Sequence, residues 1–238
     1  MFEPVLNESI IGRAQKSGAI EIVCHQLRDY AFDKHRRVDD TPYGGGMGML
    51  MKAEPIALCF EDICKQTGKK PHFVYMSPQG KTLTQKRLRE LADVESICIL
   101  CGHYEGVDQR VLDYWNMEEV SIGDYILTGG ELAAMVMIDA VSRFVPDVLG
   151  TRESATEESI YSGLLEYDQY TKPREYEGLE VPEVLFNGNH KLIHLWQYRN
   201  SLEQTKEKRP DLWEAYLSKE KNLSKDEKKI LDELVGKP

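Results

Sequence analysis

For its first two thirds the chain alternates short apolar runs with longer segments whose apolar residues recur at helical spacing. The runs "AIEIVCHQ" (19–26), "HFVYMS" (72–77), "SICILC" (96–101) and "EEVSIG" (118–123) read as strands. The intervening patterns over 5–15, 53–66, 84–94 and 130–144 read as helices. Strands that alternate with helices predict an α/β domain whose parallel strands are joined by crossover helices. The helix over 130–144 carries almost no polar face: Leu132, Ala133, Ala134, Met135, Val136, Met137, Ile138, Ala140, Val141 and Phe144 all lie on it. Such a helix is expected to be buried all round, with one flank available to a partner subunit.

The pattern changes after Gly150. "TRESATEESIYSG" is polar and aperiodic and reads as a linker, and "KPREYEGLEVPEVLFNGNH" (172–190) is rich in turn residues. From Lys191 the periodicity is helical, over 191–217 and again over 224–235, where Ser224 and Glu227 have the spacing of a capping box. The expected organisation is an α/β domain over 1–149, a flexible linker over 150–164 and a small, mainly helical domain over 165–238.

Composition narrows this picture. The chain has 238 residues, 41% hydrophobic and 29% charged, enough for two modest domains with real cores. The formal net charge of -10 argues against indiscriminate coating of nucleic acid and leaves room for a local basic face. No apolar run approaches the roughly 18 residues of a membrane span. The start, "MFEPVLNESIIGRAQ", lacks the basic and apolar regions of a signal peptide, so a cytoplasmic protein is expected. Of the five cysteines, Cys98 and Cys101 form a C-x-x-C inside a strand candidate. The pleat points residues three apart to opposite faces, and the chain has no second such pair, so reduced thiols are expected rather than zinc or redox chemistry.

The candidate chemistry lies in the loops. "HFVYMSPQGKTLTQKRL" imitates a phosphate-binding loop, but that motif needs glycine at position 75, where Tyr75 stands, and Pro78 stiffens the turn. More informative are three glycine-bearing strand ends, "MSPQG", "CGHYEG" and "SIGDYILTGG". Ligands of open α/β sheets bind at the carboxyl ends of the strands, so three such ends together favour one shared pocket. A further loop, "DKHRRVDDTPYGGGMGMLM" (33–51), brings His35, Arg36 and Arg37 ahead of Asp39 and Asp40, a basic cluster suited to phosphate contacts or simply a solvated loop.

In order along the chain, "VDDTPYGGGMGMLM", "YMSPQGKTL", "CGHYEGVDQRV", "EEVSIGDYILTGGELAAMVMIDAVSRFVPDVLG" and "ESATEESIYSGLLEYDQYTKP" resemble the bacterial tRNA (guanine-N1)-methyltransferases, and the likeness covers essentially the whole chain. The resemblance implies a trefoil-knotted methyltransferase fold of the SPOUT superfamily with a parallel sheet, in a homodimer whose active sites lie at the subunit interface. It implies transfer of a methyl group from S-adenosyl-L-methionine to N1 of guanosine at tRNA position 37, next to the anticodon. By the same resemblance the cofactor is held by Met76, Ser77, Pro78, Gly102, Tyr104, Glu105, Ser121, Ile122, Gly123, Asp124, Tyr125, Ile126, Leu127, Gly129 and Gly130. Arg143 matches the arginine beside the target base, and Asp39 a position near the RNA, with His35, Arg36 and Arg37 as further RNA contacts. Glu158 stands where the family usually has the aspartate that acts as general base.

These residue types suit the chemistry. Guanine N1 carries a proton that a carboxylate must take, and the charge that collects on O6 suits a fixed arginine. Two departures stand out: glutamate for aspartate at 158, beside Glu157, and a start at "MFEP" where family members already have a β-strand and "LFPEMF". One strand of the sheet is therefore expected upstream of Met1. Two rival readings remain: an RNA-binding homologue with weakened catalysis, and a methyltransferase acting on another RNA. A Mg²⁺ requirement is left open, and with no acidic cluster standing out no metal site is assigned.

Overall fold

The computed structural model describes residues 1–149, 163–219 and 222–236, arranged in two compact units, Met1–Ala155 and Thr156–Pro238. The expected linker over 150–164 falls mostly outside the described residues, as does Glu158.

In the first unit, helices α1 (Phe2–Leu6) and α2 (Ser9–Ser17) precede a small antiparallel pair, β1 (Asp39–Asp40) and β2 (Leu50–Met51). There follow α3 (Ala53–Thr67), β3 (His72–Thr82), α4 (Gln85–Ala92), β4 (Ile97–Leu100), α5 (Gln109–Trp115), β5 (Glu118–Ser121) and α6 (Glu131–Ser142). Strands β4, β3 and β5 form a three-stranded parallel sheet in that order, with β3 in the middle. Helices follow the strands because each crossover must return the chain to the same end of the sheet.

From Phe73 to Met76 strand β3 is continuously apolar because both of its faces are covered. Phe73 and Tyr75 pack on one face with Ile56, Phe60, Leu100, Val111, Leu112 and Trp115 from β4 and helices α3 and α5. Val74 and Met76 pack on the other with Leu91, Val120, Ala133, Ala134 and Met137 from α4, β5 and α6. The first face is aromatic at its centre: the Phe60 ring lies 4.5 Å from that of Phe73 and 5.3 Å, edge-on, from that of Trp115. At the amino end of the sheet, Glu118 accepts hydrogen bonds from His72 at 2.6 Å and from Nε of Arg87 at 2.8 Å. Burial pushes the Glu118 carboxyl up, but the bonds from Arg87 and His72 outweigh it and hold the group below its usual range.

Two sequence expectations are corrected in this unit. The helix expected over 5–15 is broken between α1 and α2, with Ser9 at φ 53° and Gly12 packed so tightly on Asn7 that a Cβ would stand 2.1 Å from its carbonyl oxygen. The strand expected over 19–26 is extended chain that joins no ladder among the described residues. It lines, together with Ile97, Ile99 and Cys101 at the free edge of β4, a cavity of about 1140 Å³, so its backbone has no neighbouring strand to pair with. On helix α6, in this chain taken alone, Met137 is 0% exposed, whereas Leu132 and Val136 are each 50% exposed, so one apolar flank is open. The strands near 72, 97 and 118 and the helices near 53 and 84 lie where the sequence pattern puts them.

The second unit holds a short hairpin, β6 (Glu175–Tyr176) with β7 (Leu179–Glu180), and helices α7 (His190–Lys208), α8 (Pro210–Ser218) and α9 (Lys225–Val235). Glu177 and Gly178 both take positive φ, the geometry of a tight two-residue turn. The helical run expected over 191–217 divides at Arg209, because Pro210 has no N–H to give a helix interior and sits instead in the first turn of α8. The capping box of Ser224 and Glu227 opens α9 as the spacing predicts. Leu164, Leu202, Tyr216 and Ile230 form the core.

Phe60 is 2% exposed at the centre of the aromatic cluster. Phe60→Ala is expected to destabilise the sheet-containing unit by about 3–5 kcal/mol, the usual cost of emptying such a position. Chemical denaturation followed by hydrogen exchange at the β3 amides measures it.

Candidate active site

The carboxyl ends of the three parallel strands carry the glycine-rich loops. Toward the end of β3 the ladder to β5 shifts register: Met76 and Lys81 both stand opposite Val120, so residues 77–80 bulge out of the ladder within the strand. That excursion presents Ser77 and Pro78, and the Ser77 hydroxyl accepts from the Gln79 N–H at 3.2 Å. The chain then re-enters the ladder, so Gly80, Lys81 and Thr82 are strand residues and make no phosphate cradle at a helix end. Gly80 allows this re-entry, because a Cβ there would lie 2.4 Å from the Glu119 backbone.

The loop after β4 and the loop before α6 are joined through their main chains. The Gly130 N–H donates to the Gly102 carbonyl at 2.8 Å, and His103 pairs with Gly129 in an isolated antiparallel bridge. No side chain fits between them. A Cβ on Gly130 would stand 2.8 Å from the Cα of Cys101, and one on Gly102 would stand 2.8 Å from the Tyr75 ring. The His103 imidazole hydrogen-bonds the Glu131 carboxylate at 2.5 Å across the same junction. After β5, the Ser121 hydroxyl donates to the Gly123 carbonyl and accepts from its N–H, each at 3.1 Å, which shapes the turn ahead of Asp124.

The segment ending in β2 runs along the 103–106 loop. Glu105 N–H donates to the Met49 carbonyl at 3.0 Å, and Met51 N–H to the Gly106 carbonyl at 2.9 Å. Tyr104, with φ 60°, points its hydroxyl to Asp39 at 3.3 Å. The structure thus brings Asp39 against the loop that carries Gly102, Tyr104 and Glu105.

The remaining expected residues distribute as follows. Met76, Ser77, Ser121, Gly102 and Gly130 are buried, Ile122, Gly123 and Gly129 half-buried, and Pro78, Tyr104, Glu105, Asp124, Tyr125, Ile126 and Leu127 exposed. Ile126 is 79% exposed, an apolar side chain presented to solvent at the mouth of the loops. Arg143 is half-buried and follows the last turn of α6, its N–H bonded to the Asp139 carbonyl. His35, Arg36 and Arg37 are exposed. The two arginines already have carboxylate partners, Arg36 with Asp29 at 3.2 Å and Arg37 with Asp33 at 2.9 Å.

Sequence reasoning passed over Tyr75, which walls Gly102, and the pair of His103 and Glu131, which spans two loops. The only signal for that pair is position: a histidine between two loop glycines and a carboxylate directly after another glycine pair. Among the described residues no helix is long and apolar enough to cross a membrane.

Comparison with known proteins agrees with this geometry. Residues 1–215 match a protein-family model described as tRNA (Guanine-1)-methyltransferase TrmD. The chain is 55% identical over 214 residues to a tRNA (guanine-N(1)-)-methyltransferase of Lachnospira eligens, covering 90% of this chain and 91% of that one. It is 52% identical over 213 residues to the protein of the same description from Ruminiclostridium cellulolyticum, with 90% and 91% covered. With that from Desulforamulus reducens it shares 49% identity over 235 residues, covering 98% of this chain and 91% of the relative. Similarity of this extent makes the chain a member of the tRNA (guanine-N1)-methyltransferase family.

Proposed function

We propose that this protein transfers a methyl group from S-adenosyl-L-methionine to N1 of guanosine at tRNA position 37. The observation that carries the reading is the main-chain junction of the strand-end loops in a chain of this family. Two positions there exclude a Cβ, Gly102 and Gly130, and Gly80 does so where β3 meets β5. A cradle of this kind suits a ligand gripped by backbone groups, and the exposed apolar run of Tyr125, Ile126 and Leu127 suits an aromatic base and the aliphatic chain beside it. Met76, Ser77, Pro78, Gly102, Tyr104, Glu105 and the segment from Ser121 to Gly130 would hold the cofactor.

When bound, S-adenosylmethionine supplies an electrophilic methyl group on a sulfonium. The chain's own residues position the base and handle its proton. Guanine N1 is protonated at neutral pH, so the reaction needs a carboxylate within reach of N1–H. By family resemblance that carboxylate is Glu158. Arg143, at the end of α6, stabilises the negative charge that accumulates on O6 as the proton leaves. The exposed side chains of His35, Arg36 and Arg37, together with Asp39, face the RNA.

The family reading also carries the architecture. We infer a trefoil knot built from the strand-end loops, a linker over 150–164 that carries Glu158, and a helical RNA-binding domain beyond it. It further implies a homodimer with active sites at the interface. The open apolar flank of α6, where Leu132 and Val136 are half exposed, supports such an association. The work on tRNA places the protein in the cytoplasm.

A methyl-transfer assay on unmodified tRNA transcripts tests the reading. Transcripts with guanosine at position 37 should accept methyl and those with adenosine should not. Equal labelling of both, or methyl on another RNA only, would overturn the substrate assignment. A wild-type protein that binds RNA but never turns over would favour the weakened homologue. Glu158→Gln is expected to cut turnover by roughly 10²–10⁴-fold with little change in cofactor affinity. Loss through Glu157→Gln instead would move the base by one residue.

Gly130→Ala tests the cradle. The new methyl would meet backbone atoms of Cys101 and Gly102 that cannot swing aside. The loops must then separate, and turnover should fall by roughly 100-fold, the usual cost of displacing a bound reactant by about 1 Å. Retention of wild-type cofactor affinity in this variant, by calorimetry, would place the cofactor elsewhere.

RNA binding provides a further test. With a net charge of -10, affinity must come from local cations, so it should fall steeply with added salt through counterion release. Affinity that is independent of salt between low and physiological ionic strength would contradict a phosphate-binding face.

A further inference from the structure

We propose that His103 and Glu131 act together as a positioning latch that fixes the spacing of the two loops on either side of the cofactor cradle. The inference rests on the reading that the 101–106 and 121–130 loops hold the methyl donor. Neither residue belongs to the set that the family resemblance places on the cofactor or the base.

The geometry is specific. Nε2 of His103 lies 2.5 Å from Oε1 of Glu131, with the imidazole N–H donating to the carboxylate. The pair roofs Gly129, where a Cβ would lie 2.5 Å from Oε2 of Glu131 and 2.6 Å from Cε1 of His103. Beneath the roof run the bridge between His103 and Gly129 and the bond from Gly130 to Gly102. The backbone N–H of His103 is itself tied to the Met51 sulfur at 3.2 Å, so the imidazole is anchored to the third segment of the site. Glu131 opens α6, where the helix dipole favours a carboxylate. The acceptor is therefore held by the helix and the donor by the loop, and the bond between them sets how far the loop stands from the helix.

The imidazole is about half exposed, with a side-chain exposure of 46%. Pairs exposed to this degree contribute little to global stability. The latch therefore predicts a loop effect without a folding effect, whereas a merely structural pair would move both together.

Gly129 provides an independent handle. Its φ lies outside the left-handed region, so alanine there meets no backbone strain of its own. The nearest obstacles are the two latch side chains, whose flexible ends can swing away. Gly129→Ala should then open the latch from below and mimic its removal.

The experiment compares the full-length wild type with His103→Ala, Glu131→Ala, Gly129→Ala and the double variant Gly129→Ala/Glu131→Ala. S-adenosylmethionine affinity is read by calorimetry, methyl transfer by steady-state kinetics and stability by Tm. Each single variant should raise the Kd and KM for S-adenosylmethionine about tenfold, the worth of one charge-assisted hydrogen bond. For His103→Ala and Glu131→Ala, turnover at saturating cofactor should stay within about twofold and Tm should be unchanged. The double variant should be no worse than its parents, because its two substitutions undo the same contact. His103→Gln, whose amide can still donate to Glu131, should recover part of the affinity.

Single variants with wild-type Kd, additive losses in the double variant, or no recovery in His103→Gln would each overturn the latch. A fall in Tm that parallels the loss of affinity would also overturn it, since the pair would then be holding the fold. If the wild type itself fails to bind S-adenosylmethionine, the cofactor reading falls first and the latch with it, an outcome visible before any variant is made.

Discussion

The backbones of Gly130 and Cys101 pass so close that a single methyl group between them would stand 2.8 Å from the Cα of Cys101. The site depends on that approach. It brings the loop after β4 against the start of α6, aligns the Gly130 N–H with the Gly102 carbonyl and seats His103 beside Gly129. A side chain at either glycine would force the loops apart, and the Tyr75 ring on the far side of Gly102 leaves no direction in which to retreat. Packed interiors yield little to such intrusions, so the cradle is held by exclusion as much as by attraction.

The sheet supplies the frame for this contact. In a parallel sheet every strand ends on the same side, so loops far apart in sequence converge at one edge of the structure. Here β3 is central and its two apolar faces are filled separately, by the aromatic group of Phe60, Phe73 and Trp115 and by the aliphatic group around Val120 and Met137. Hydrophobic burial on both sides fixes the strand ends, and the His72, Glu118 and Arg87 network fastens the opposite end. The loops can then be irregular, and rich in glycine, because they do not have to supply the stability of the unit.

Much of this was legible in the sequence. The alternation of apolar runs and helical patterns located the parallel strands, and Ser224 with Glu227 located α9, because period and capping chemistry are local properties. The misses have non-local causes. Segment 19–26 has the composition of a strand, but a strand exists only where a neighbour pairs with it, and composition carries no record of the neighbour. Helix α6 is almost wholly apolar, and which of its faces is buried depends on what packs against each; among the described residues its Leu132 flank stays half exposed. In the site, the glycines of the three strand ends announced a close approach, but which backbone each one meets is a tertiary fact. The same holds for His103 and Glu131, which are 28 positions apart and meet only because their loops do.

Charge poses the remaining physical problem, since a chain of net charge -10 must engage a polyanion. The exposed cations of the first unit are not bare: Arg36 sits against Asp29 and Arg37 against Asp33. The carboxylates lower the free energy of the unbound surface only slightly, because exposed pairs are screened and carry an entropic cost of their own. Asp33 is held below its usual carboxylate range by its side-chain and backbone bonds to Arg37, so it stays ionised and does not give up its partner by protonation near neutral pH. A phosphate can nevertheless take the guanidinium, because phosphate binding also releases condensed counterions, a gain that an isolated aspartate cannot match. In the second unit Arg174 lies over the Phe186 ring at 4.5 Å, an arrangement that holds the guanidinium plane while leaving its edge N–H groups in solvent. Acidic partners and aromatic faces thus keep the cations ordered without desolvating them, and a surface arranged in this way can be acidic in total and still offer phosphate contacts where its arginines stand.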